Sequence, residues 1–88
     1  MKISEKKREK ILEQILSFLY QSNLKPMFTS QIAQEIARDE EFVKALLLEL
    51  KEKKFVVEIK KNPKGDQYIR RSRWVISDIV YQTYKNHQ

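Results

Sequence analysis

Eighty-eight residues, 41% hydrophobic and 34% charged, suffice for one hydrophobic core and not for two, so residues 1–88 are expected to form a single domain. The absence of cysteine removes disulfides, thiolate metal sites and thiol nucleophiles. No apolar run reaches the roughly 18 residues that cross a bilayer, and residues 1–7 lack the apolar stretch of a signal peptide, so the expected location is cytoplasmic with no membrane partner. The net charge of +6 is unevenly placed: residues 1–10 carry five basic and two acidic groups, 11–50 three and six, 51–73 nine and three, and 74–88 one of each. Cations gathered at the amino end and after residue 50 suit surfaces that face a polyanion.

In chain order, Ile11, Leu12, Ile15, Leu16, Phe18 and Leu19 recur at three and four residues, which predicts a helix over about 5–21 with Ser4 as its cap. The turn Ser22-Asn23-Leu24-Lys25-Pro26 ends it, since proline disfavours helical geometry in the residue before it. Six apolar positions make a wide face, part of which is expected to meet a second subunit. Thr29 and Ser30 are expected to cap a short helix burying Ile32, Ala33 and Ile36. Asp39 caps the next, in which Glu40 and Glu41 suit the positive end of the dipole and Val43, Leu46, Leu47 and Leu50 form the buried stripe ending near Lys53. A connection this tight makes the pair a helix-turn-helix.

From Phe55 the period changes to two: Phe55, Val57 and Ile59 alternate with Val56, Glu58 and Lys60, which predicts a strand. Asn62-Pro63-Lys64-Gly65-Asp66 holds the only glycine, and Tyr68-Ile69-Arg70-Arg71 is read as the returning strand of a hairpin. Trp74, Val75 and Ile76 then lead to Ser77, a cap for a last helix carrying Ile79, Val80, Tyr81 and Tyr84. Trp74 is read as core, with stacking on a base or sugar as the alternative.

The stretch SQIAQEIARDEEFVKALLLELKEKKFV resembles, without a gap, the pattern of the winged helix-turn-helix family. Ile32, Ala33 and Ile36 match its first motif helix, Val43, Leu46, Leu47 and Leu50 the second, and Phe55-Val56 the opening of the wing. That resemblance implies a mostly α fold with a small β-hairpin, in the order α-α-α-β-β-α. It further implies double-stranded DNA as the partner, although the same fold also serves protein–protein interaction.

In the same match, the outward positions of the second motif helix are Glu40, Glu41, Phe42, Lys44, Ala45 and Leu48. Carboxylates repel phosphate, and apolar groups discriminate bases only at thymine methyls, so conventional major-groove readout by this helix is poor. Members of the fold that bind Z-DNA need an asparagine and a tyrosine where Lys44 and Leu48 stand, which excludes that role. Either Phe42 or Leu48 belongs to the core, or Phe42, Ala45 and Leu48 form one exposed strip through which two copies pair as a homodimer. Such pairing is similar in architecture to the centromere-binding adaptors of tubulin-based plasmid and phage partition systems. The roles left open are therefore a transcriptional regulator and a plasmid or phage partition adaptor, the latter with a partition NTPase or other protein partner.

The hairpin supplies the cations that this helix lacks. Lys60, Lys61 and Lys64 lie at or near its tip and Arg70, Arg71 and Arg73 on and after the return, so with Lys44 these are the candidate DNA-binding residues, suited to phosphates and to the narrow minor groove. Lys6, Lys7, Arg8 and Lys10 are candidates for flanking phosphates. No phosphate-binding glycine loop, nucleophile motif or metal-spaced cluster is present, His87 is penultimate, and adjacent Glu40 and Glu41 point apart on a helix. The sequence is therefore read as a non-enzyme with no cofactor, no metal and no catalytic residue.

Overall fold

The computed structural model describes residues 4–60 and 72–86. Its elements are α1 (Glu5–Gln21), β1 (Met27–Phe28), α2 (Thr29–Ile36), α3 (Glu40–Glu52), β2 (Val56–Ile59), β3 (Arg73–Ile76) and α4 (Asp78–Asn86). Helix α1 begins where the sequence predicts, because the Ser4 hydroxyl accepts the Lys7 N–H at 3.3 Å and satisfies one of the free amides of its first turn. Ile11, Ile15, Leu16 and Leu19 are buried, and Leu12 and Phe18 pack against the same core. Four of the six stripe positions are thus buried within this one chain, while Leu12 and Phe18 stay half-buried.

Helices α2 and α3 form the helix-turn-helix. Ala37 closes α2 in the left-handed conformation (φ 57°, ψ 48°), and the Arg38 N–H returns to the Ala33 carbonyl at 3.0 Å. Two residues later Asp39 accepts the Phe42 N–H at 3.2 Å and starts α3, so the chain reverses within one cap-to-cap step. The start of α2 differs from expectation in one detail. Its N-cap is Phe28, whose N–H is received by the Gln31 side chain at 2.9 Å, while the Thr29 hydroxyl turns inward to Trp74. At the far end of α3, Lys54 adopts φ 65° and the Phe55 N–H reaches back to Leu50 at 2.8 Å, which turns the chain directly into β2.

The sheet has the order β1-β3-β2, antiparallel throughout. Strand β3 pairs with β2 from Val56↔Ile76 to Ile59↔Arg73, and with β1 through Met27↔Trp74 and Phe28↔Arg73. The hairpin is therefore joined by a third, two-residue strand for which the sequence carries no local signal. Its returning strand is Arg73–Ile76; the expected strand at Tyr68–Arg71 lies outside the described residues. Period two holds in β2, yet the more apolar face is the outward one: Val57 is 48% exposed and Phe55 is exposed beside it, whereas Val56 is buried. Strand β3 decides this by bringing Trp74 and Ile76, both buried, onto the side of Val56.

One cluster of thirteen residues forms the core among the described residues, drawn from α1, α2, α3, β2 and β3, with Trp74 wholly enclosed. Trp74 is core, as read. Ser77 caps α4, accepting the Val80 N–H at 3.4 Å. In that helix Val80, Tyr81 and Tyr84 pack on the core, and Tyr20 of α1 stacks with Tyr84 at 5.3 Å. Ile79 does not join them and is 79% exposed, because it occupies the helix face turned away from α1. No helix among the described residues is long and apolar enough to cross a membrane.

Candidate nucleic-acid interface

The outward surface of α3 carries the residues that the gap-free match placed there. Glu40, Glu41, Lys44 and Ala45 are exposed, and Leu48 is 44% exposed. Phe42 is half-buried and packs against the core, so the freely exposed apolar strip narrows to Ala45 and Leu48. Both line a shallow depression with Arg8, Glu49, Lys51 and Glu52.

Several cations around α3 are already engaged with carboxylates. Arg8 of α1 forms a two-pronged pair with Glu49 of α3, one arm at 2.9 Å and the other to the second carboxylate oxygen. Lys53 approaches the same carboxylate at 3.5 Å. Arg8, read from sequence as a cation for flanking phosphates, thus serves to fasten the start of α1 to the end of α3. Lys6, Lys7 and Lys10 stand exposed on α1.

At the root of the ribbon the cations converge. Lys60 is exposed immediately after β2, and its Nζ lies 3.9 Å from Glu58 Oε1. Lys51, near the end of α3, donates to the same oxygen at 2.8 Å, and the Ser72 hydroxyl donates to the other oxygen at 2.5 Å. Burial raises the Glu58 carboxyl's pKa, but the hydrogen bonds from Lys51 and Ser72 and the charges of Lys51 and Lys60 outweigh it and hold the group below the ordinary glutamate value. Arg73 sits in the middle of the sheet, its guanidinium 6.0 Å from the centre of the Phe28 ring and its Nε buried. Lys61, Lys64, Arg70 and Arg71 lie outside the described residues.

Of the residues singled out from sequence, the fold thus puts Lys44, Ala45 and Leu48 together on α3, sets Lys60 at the ribbon root, and directs Arg73 onto Phe28. Sequence reasoning did not single out Lys51, Glu58 or Ser72. The only available signal was Glu58 itself, a carboxylate on the Val56 side of a strand, and it becomes informative only once that side is known to face inward.

No family model and no curated protein matches this chain. Solved structures do. A mutant of MepR from an S. aureus clinical isolate superposes with a TM-score of 0.70 at 18% identity, covering 88% of this chain and 53% of that one. A mutant of Lactococcus lactis ZitR in apo form gives 0.64 at 15%, covering 90% and 57%. A second S. aureus MepR mutant, bound to an oligodeoxyribonucleotide, gives 0.62 at 19%, covering 94% and 68%. The chain therefore spans little more than half the length of the first two. With three helices leading into a β-ribbon and an antiparallel sheet of three strands, it has the winged helix-turn-helix fold.

Proposed function

We propose that this chain binds double-stranded DNA as a homodimer and acts as a transcriptional regulator. The observation that carries the reading is the collection of lysines where α3 meets the ribbon, in a fold whose similar structure, an S. aureus MepR mutant, is bound to an oligodeoxyribonucleotide. Lys44 and Lys60 contact the duplex backbone, and Lys61, Lys64, Arg70 and Arg71 extend the contact on the strength of their sequence clustering. Ala45 and Leu48 pair two copies, with Phe42 at the margin of the contact, and the amino ends of both α3 helices then lie near one groove. Service as a plasmid or phage partition adaptor would use the same contacts with a partition NTPase as the further partner.

A second reading, a protein-interaction module, is favoured by the exposed carboxylates and apolar groups of α3. Fluorescence anisotropy with labelled A·T-rich and mixed duplexes at two salt concentrations separates the two. A dimer neutralising about six to ten phosphates loses roughly 10³- to 10⁵-fold in affinity between about 50 and 200 mM salt. Absence of binding to either duplex at the lower salt would favour the protein-interaction reading.

A further inference from the structure

One carboxylate joins three parts of the chain where the ribbon leaves the body. Glu58 lies opposite Trp74 on the core-facing side of β2, and its side chain is only 6% exposed. Lys51 reaches it from α3 at 2.8 Å, Lys60 from just past β2 at 3.9 Å, and Ser72 from just before β3 at 2.5 Å. Lys60 and Ser72 are where the antiparallel register would place the next pair after Ile59↔Arg73, so Glu58 holds both sides of the ribbon as well as the end of α3.

Charge and exposure divide unequally in this cluster. Two ammonium groups face one carboxylate, leaving a positive excess, and the lysine side chains are 46% and 55% exposed while the carboxylate is hidden beneath them. An anion arriving from solvent meets the cations and not the carboxylate. Because both nitrogens approach the same Glu58 oxygen, they lie within reach of the non-bridging oxygens of a single phosphate. Lysine side chains already gathered lose less rotamer freedom on binding than free ones do.

We propose that Lys51 and Lys60, drawn together by Glu58, form a binding site for one backbone phosphate of a DNA duplex, with Glu58 as its positioning residue. This rests on the duplex-binding reading above and adds to it a contact from the carboxyl end of α3. It also assigns a carboxylate a favourable part in anion binding, which simple charge counting does not.

The opposed sign supplies the test. Removing a carboxylate from a phosphate-binding surface should tighten binding if only net charge matters. With Glu58 ordering the lysines, Glu58→Gln instead weakens binding of a mixed-sequence duplex roughly three- to ten-fold at low salt, and Lys51→Met reduces the salt slope by about one per subunit. Binding by Glu58→Gln equal to or tighter than that of the parent overturns the proposal, as does an unchanged slope for Lys51→Met. Ser72→Ala keeps the charge and, should Glu58→Gln not fold, carries the positioning test through a smaller loss of affinity, with unaltered affinity counting against the proposal. If the parent protein binds no duplex, the Nζ resonances of Lys51 and Lys60 are followed by NMR against inorganic tripolyphosphate. Shifts at both keep the phosphate site and reject the duplex reading; the absence of a shift at either lysine rejects both.

Discussion

The indole N–H of Trp74 donates to the hydroxyl of Thr29 at 2.8 Å, a buried bond between residues 45 positions apart. It ties β3 to the first turn of α2 and gives the only polar side-chain atom of the enclosed tryptophan a partner. Thr29→Val keeps the side-chain shape and leaves the indole donor unsatisfied, so it is expected to destabilise the protein by about 1–3 kcal/mol. Urea denaturation of the parent, Thr29→Val and Thr29→Ser provides the measurement. The serine variant should lie closer to the parent, and equal midpoints for all three would show that the bond contributes nothing.

Ala37 holds the turn of the helix-turn-helix at φ 57° with its side chain exposed. A residue with a Cβ loses about 1–2 kcal/mol in this region, partly offset by the greater freedom of glycine in the unfolded chain. Ala37→Gly is therefore expected to stabilise the fold by roughly 0.5–1 kcal/mol. Thermal unfolding should show a Tm raised by a few degrees; a lowered Tm would mean that the turn tolerates alanine without strain.

Leu48, the largest exposed apolar group on α3, is the most sensitive position for the proposed pairing of two copies. Leu48→Glu places like charges across that contact and is expected to convert a dimer to a monomer in light scattering and to weaken duplex binding. Its cost to the stability of the single chain should stay within about 0.5 kcal/mol, as for other surface changes. A variant that remains dimeric, or a parent that is monomeric, argues against pairing through this helix.

Glu58 makes stability depend on acidity in a defined direction. Its folded-state pKa is lowered below the ordinary 4.5, so between the two values the unfolded chain binds the more protons. The stabilisation is complete above the ordinary value and disappears as pH falls through the folded one. Glu58→Gln should therefore separate from the parent in denaturation midpoint above the ordinary glutamate value and converge with it as the pH falls below the lowered, folded-state one. A separation that does not change with pH would indicate that the Lys51 and Ser72 contacts are not formed.

The helices were legible because their determinants are local. Apolar residues spaced by three and four located α1, α2 and α3, and Ser4, Asp39 and Ser77 marked helix starts that the structure reproduces. The alternation after Phe55 identified β2, but alternation names two faces without saying which is inside. Phe55, Val57 and Ile59 form the more apolar set, and even so Val56 is the buried one, since Trp74 and Ile76 lie on its side.

For the candidate site, sequence clustering was enough to mark the ribbon as cationic and α3 as acidic and apolar, because charge is a property of composition. Partners are not. Arg8 reaches Glu49 across 41 positions, Lys51 and Ser72 meet at Glu58, Arg73 turns to Phe28, and Met27–Phe28 becomes a strand only against β3. The chain's own order determined its helices, caps and charge distribution, whereas packing decided which cations are spent on internal carboxylates and which face solvent. The reason is distance: a few Å in space at these contacts corresponds to anything from 7 to 41 or more positions along the chain, and no local pattern encodes it.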